Sequence, residues 1–163
     1  MEIVQSFRLK VVIFAKNNWT KMEFEDKNIA FEGYKVELYT ASEEHWRYNI
    51  GLSISRRDES DEQIGFVSHF DRVAATVANL AERPIEVDDV RHIELSADDC
   101  PTIVVAIYVI AHTMSKVRRL LPQDKAFAMR VTVSHNGEVL YNEPLMVDLW
   151  GGANAIIRVD GKR

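Results

Sequence analysis

Cysteine is nearly absent from this chain of 163 residues, with Cys100 standing alone. A single thiol excludes an intrachain disulfide and a thiolate zinc site, and it fits a reducing compartment. Long apolar runs are missing too. The longest, Ile103 to Ala111, falls far short of the ~20 residues a membrane span needs. Met1-Glu2-Ile3 begins with an acid and alternates polar with apolar from there, so no secretory leader is expected and a cytoplasmic address is. Internal repeats, low-complexity tracts and linkers are lacking. One domain over residues 1–163 is therefore expected, long enough to bury roughly two-thirds of its unfolded surface.

Familiar catalytic patterns are lacking as well. Gly151-Gly152 has no lysine or helix after it in the place a phosphate loop requires. His45, His69 and His135 each stand without a partner at the spacing of a zinc site or a catalytic triad. No cofactor and no enzymatic activity are expected on these grounds.

What is present is acid, unevenly placed. The net charge is -5, yet Asp58 to Asp99 carries 12 acidic and 3 basic residues while the flanks are slightly basic. An acidic middle disfavours nucleic acid as the main partner. It suits either a solvated face or a basic protein partner.

Apolar periodicity outlines several strands. Ile3 to Ala15 alternates, and Trp19 to Asp26 is a shorter candidate. At Gly33 the apolar set moves from odd positions (Ile29, Phe31) to even ones (Tyr34, Val36, Leu38), which calls for a bulge or tight turn. Arg47 to Arg56 is the cleanest strand, with Tyr48, Ile50, Leu52 and Ile54 inward and Asn49, Ser53 and Ser55 outward. Ile85 to Leu95 alternates, as does Phe127 to His135. Asn136-Gly137 then suits a two-residue hairpin turn that pairs His135 with Glu138 and Val133 with Leu140. Gly151-Gly152 turns the chain into a last strand, Ala155 to Val159.

Two segments carry helical spacing. Pro101 at a first helical position, Asp98 and Asp99 before it, and Lys116, Arg118 and Arg119 near the far end predict a helix over about 101–121. Ile103, Ile107, Ile110 and Met114 form its stripe, and its first half is apolar nearly all round. Such a helix needs cover from a sheet and from a second subunit, so these four residues are candidates for a homo-oligomer interface. Residues 61–83 admit two periods. Ser60 with Gln63 makes a capping box and Phe66, Phe70, Val73, Val77 and Leu80 keep helical spacing, but Ile64, Phe66 and Phe70 also alternate as strands do. The expected class is α+β, a mainly antiparallel sheet with one long buried helix and a second if 61–83 is helical.

Three further groups bear on chemistry. Glu86, Asp88, His92 and Glu94 share the outward face of the expected strand and offer oxygen and imidazole to manganese or magnesium, or else keep an edge strand polar. Cys100 at a helix start has a setting that lowers a thiol pKa, opposed by Asp98 and Asp99. His112, Ser115, Lys116 and Arg119 would form one polar helical stripe, able to meet phosphate or simply solvent. Aromatics crowd the first third, and Trp19, Phe24, Phe31 and Tyr34 serve either as core or as an apolar binding surface.

The order of elements resembles the SecB family of export chaperones over residues 3–123. The features carrying this are Val36-Glu37-Leu38-Tyr39-Thr40-Ala41-Ser42, the strand Tyr48 to Ser55, the Phe-rich region after it, Cys100-Pro101 with Ile103 two residues on, and Leu121-Pro122-Gln123. The tail departs, since residues 126–159 have strand patterning where that family has a second helix. The resemblance implies an extended region after the third strand and an ATP-independent holdase, usually a tetramer of two dimers, that binds unfolded polypeptide along apolar grooves. The composition also suits a small acidic antitoxin or immunity protein that neutralises a basic toxin. A divalent-metal hydrolase built on Glu86, Asp88, His92 and Glu94 is the third class.

Overall fold

The computed structural model describes residues 31–115 and 126–161. The chain divides into two units, Met1–Phe31 and Glu32–Arg163, and the β-architecture belongs to the second. Among the described residues eight strands run in order: β1 (Tyr34–Thr40), β2 (Tyr48–Arg57), β3 (Gln63–Asp71), β4 (Arg91–Ala97), β5 (Thr102–Ala111), β6 (Ala126–His135), β7 (Glu138–Asp148) and β8 (Ala153–Asp160). They form two four-stranded sheets, β4-β1-β6-β7 and β3-β2-β5-β8. Every pairing is antiparallel. The one helical element among the described residues is a short 3-10 turn, His45–Arg47.

The sheets face each other over a core written in alternating positions. Tyr34, Val36 and Leu38 of β1 meet Ile50, Leu52 and Ile54 of β2 and Ile103, Val105 and Ile107 of β5, all buried. Met129, Val131 and Val133 of β6 complete the layer. Each such side chain contributes on the order of 1.5–3 kcal/mol by leaving water, before conformational entropy is charged against it.

The expected α+β class is overturned, because no α-helix occurs among the described residues. Thr102–Ala111, the first half of the expected helix over 101–121, is strand β5, and the later positions 116–125 lie outside the described residues. Val, Ile and Tyr dominate this segment, and β-branched side chains are restricted in a helix but pack well on a pleated surface. Ile103, Val105, Ile107 and Val109 point inward, while Val104, Ala106, Tyr108 and Ile110 point outward. A strand apolar on both faces looks apolar all round, which imitates a buried helix. Residues 61–83 are not helical either. Phe66 and Phe70 are four apart, and an even spacing puts them on one side of strand β3.

Local signals fared better, with two shifts. Asn136 and Gly137 both take positive φ, 51° and 83°, and join β6 to β7 with His135 opposite Glu138. A bulge follows, so Val133 faces Tyr141 rather than Leu140. The strand expected from Ile85 begins only at Arg91. Pro84 accepts a turn bond from Val87 N at 3.1 Å, and Asp88-Asp89 is poor strand material.

Candidate functional site

The outer faces of the two sheets differ in kind. On the sheet β3-β2-β5-β8, paired residues place Phe66, Ser55 and Val104 in one row, Ser68, Ser53, Ala106 and Ile156 in the next, and Phe70, Gly51, Tyr108 and Asn154 in a third. Along β2 the side chains are small, namely Gly51, Ser53 and Ser55. The neighbouring strands raise Phe66 and Phe70 on one side and Val104 and Tyr108 on the other. The result is a trough one strand wide, its ridges roughly 10 Å apart at twice the strand spacing. Phe66 and Phe70 are 57% and 54% exposed and Ile156 74%.

The Phe70 ring leans over Gly51. A Cβ there would lie 3.5 Å from the Phe70 ring and 3.8 Å from Tyr108 Cβ, an ordinary contact, so a side chain larger than a methyl would press against the Phe70 ring and shift the ridge. Charge is confined to one end of this face, where Arg158 meets Asp61 at 2.8 Å and Asp160 at 3.7 Å. The opposite end is closed by Asn49. Expected outward, it is buried, donating to Ala74 O at 2.8 Å and accepting from Val73 N at 2.8 Å.

The outer face of β4-β1-β6-β7 is charged instead. Glu37 of β1 lies opposite Glu94 of β4, and with His92 they form the one metal-ligand-spaced trio among the described residues. This differs from the expected ligand set. Glu86 and Asp88 precede β4 and are absent from the trio, whereas Glu37, invisible as a partner in the sequence, comes from another strand. Lys35 Nζ already bridges Glu37 at 3.2 Å and Glu94 at 2.9 Å, and hydrogen bonds to both, Glu94 first, hold its pKa above the usual lysine value. His92 Nε2 sits 3.2 Å from Glu37 Oε1. A divalent ion would have to displace an ammonium that neutralises these carboxylates.

The remaining candidates scatter. Trp19 and Phe24 lie outside the described residues, Phe31 is half-exposed, and Tyr34 is fully buried with its hydroxyl donating to Cys100 O at 3.2 Å. Ile103 and Ile107 are core, and Ile110 and Met114 are exposed. Cys100 is buried, donates to Thr102 O at 3.2 Å, and has its thiol pKa raised by burial, which disfavours a nucleophilic thiolate. His112 is no part of a solvent stripe. It is buried, with Nε2 against Trp46 O and Nδ1 against Thr113 Oγ1, each at 2.8 Å. Lys116 and Arg119 lie outside the described residues. Phe66, Phe70, Tyr108 and Ile156 were not singled out as a surface, although the alternation Val104, Ala106, Tyr108, Ile110 held the signal.

No helix of the described residues is long and apolar enough to cross a membrane. No protein-family model matches the chain, and no curated protein matches it. Solved structures give two distant likenesses. The chain is similar to a DUF4425 family protein from Bacteroides ovatus at 8% identity and a TM-score of 0.37, covering 79% of this chain and 94% of that one. It is also similar to a domain of unknown function, DUF4425, from Bacteroides vulgatus at 12% identity and a TM-score of 0.41, covering 80% and 96%. Neither description speaks of a chaperone, an antitoxin or a hydrolase.

Proposed function

We propose that this protein is a non-catalytic binding domain that takes extended, apolar polypeptide into the trough along β2, without nucleotide. The observation carrying this is the pairing of small side chains on β2 with exposed aromatic and aliphatic ridges on β3 and β5. Burial of apolar surface is non-directional, so such a trough tolerates many sequences. Contiguous apolar surface of this kind is characteristic of interaction sites. The acidic balance gives no support to nucleic acid as a partner. A cytoplasmic setting, in which Cys100 stays reduced, suits binding to chains that have not yet folded. Ile110, exposed at one end of the same face, favours a second use of it, self-association into a homo-oligomer.

The test is dilution of a reduced, unfolded test protein into buffer with and without this one, followed by light scattering. Fluorescence anisotropy of the labelled test chain and solution mass are measured in parallel. Wild type should suppress scattering, and Gly51→Leu or the pair Phe66→Ser and Phe70→Ser should weaken binding roughly tenfold or more with the fold intact. Absence of any effect on scattering and anisotropy, with a mass that falls to the monomer in the Phe variants, would assign the face to self-association and end the polypeptide proposal.

A further inference from the structure

Four strands end the two sheets of the described residues, β4 and β7 in one and β3 and β8 in the other. An edge strand offers unpaired N–H and C=O groups, and charged residues, proline or bulges keep a second chain from pairing with it. Three of the edges are guarded in this way. β4 has Arg91, His92 and Glu94, β7 has Glu143 and Pro144 within it, and β8 has Arg158 and Asp160. β3 differs. A bulge leaves Ile64 between Gln63, which faces Arg57, and Gly65, which faces Arg56. Beyond it no acid, lysine, arginine or proline occurs until Asp71.

The connection that leaves β3 turns away from this edge. Val73 N donates to Asn49 Oδ1 of β2 at 2.8 Å. Farther on, Asn79 N donates to His112 O and Leu80 N to Thr113 Oγ1, each at 2.9 Å. It thus crosses the ends of β2 and β5, and among the described residues no strand pairs with the outer side of β3. Phe66, Ser68, His69 and Phe70 are all exposed.

The regular part of β3, residues 65–71, is also self-complementary. Phe66-Val67-Ser68-His69-Phe70 carries phenylalanine two places on either side of Ser68. Under a two-fold axis through Ser68, an antiparallel second copy sets Phe66 against Phe70, Val67 against His69 and Ser68 against its own counterpart. This is the reciprocal contact of an isologous interface. We propose that two copies of this chain pair edge to edge through β3, antiparallel about Ser68, to form one continuous eight-stranded sheet.

Two directly opposed aromatic pairs result, a favourable cross-strand arrangement. Moving the axis to Val67 or His69 sets phenylalanine against serine and loses both. On the other face of the strand, Asp71 comes opposite Gly65, over which the Arg56 guanidinium lies. Opposite charges therefore meet twice across the axis. A strand pair of this length, about 24 Å, is small beside a permanent interface, so the dimer forms and dissociates with concentration. The pairing uses the edge of the sheet and stands whether or not the trough takes polypeptide.

Sedimentation velocity of the full chain up to millimolar concentration, together with cysteine cross-linking, tests this. Ser68→Cys sets two thiols at the roughly 4.5–5.5 Å Cα separation of opposed residues, within reach of a disulfide. Cys100 is buried and does not compete. Ser53→Cys, next to Ser68 on β2, is the control, since its two copies would lie about 14 Å apart, three strand spacings. Wild type should form a concentration-dependent dimer, and Ser68→Cys should cross-link under mild oxidation at least about tenfold faster than Ser53→Cys. Ser68→Lys opposes two ammonium groups across the axis and should weaken the dimer roughly tenfold or more. If that variant fails to fold, the two cysteine variants decide. The proposal is overturned if wild type stays monomeric at millimolar concentration, if Ser53→Cys cross-links as fast as Ser68→Cys, or if Ser68→Lys dimerises as tightly as wild type.

Discussion

Tyr48 Oη donates to Leu149 O at 2.8 Å, tying the start of β2 in one sheet to the turn that leaves β7 in the other. The phenol is buried against Phe127, ring centroids 5.5 Å apart, and burial pushes its pKa above the usual tyrosine value. Tyr34 does the same work at the other end through Cys100 O, its pKa pushed up to about 12 mainly by burial. Two phenols thus clip the sheets together near opposite ends of the core. Tyr48→Phe should cost about 1–3 kcal/mol, since a buried carbonyl is left unpaired. Chemical denaturation with an unchanged midpoint would show that the clip is dispensable.

The hairpin turn supplies a local test. Gly137 has open space around a would-be Cβ, so the penalty for a side chain there comes from its positive φ alone. Gly137→Val should destabilise by ~1 kcal/mol or more. Asn136 also accepts from Gly33 N at 2.7 Å and donates its own N–H to Gly33 O at 2.9 Å, joining the turn to the start of β1. Wild-type thermal stability in the Gly137 variant would count against this strain.

Ile107 and Ile110, expected to share one helical stripe, now separate. Ile107 is fully buried between the sheets, whereas Ile110 is 43% exposed on the outer face. Ile107→Asp should abolish folding, because an unpaired carboxylate in the core costs several kcal/mol. Ile110→Asp should leave a folded protein within ~0.5 kcal/mol of wild type. Circular dichroism and sedimentation of the two variants check this. A folded Ile107→Asp would contradict the register of β5.

Acid should loosen the fold through His45 and His112. Burial is the leading cause in both, and nearby arginines (Arg91 and Arg83 for His45, Arg91 and Arg47 for His112) lower the folded pKa further below 6.5. Between that lowered value and 6.5, unfolding takes up protons. Stability is therefore complete above 6.5 and is lost as pH falls through it, until the folded values are passed. Urea midpoints should drop between about pH 7 and about pH 5, and His112→Gln should flatten part of the slope. Midpoints constant across that range would refute the assignment.

Where neighbours along the chain suffice, the sequence already determined the outcome. Tyr48, Ile50, Leu52 and Ile54 alternate over a polar partner face, and Asn136-Gly137 supplies a dipeptide that readily accepts two positive φ values, so β2 and the β6–β7 turn were legible. The break at Gly33 was legible too, since Gly33 takes φ 134° where β1 begins, while Ile29 on its far side lies outside the described residues. Only tertiary structure decided the rest. β5 carries apolar side chains on both faces, and Phe66 and Phe70 are four residues apart, patterns that helix and strand share until a partner strand selects one. The trough needs β3, β2 and β5 side by side, and Glu37 meets Glu94 only across a sheet. Each depends on contacts between distant segments, which the order of residues along the chain does not express.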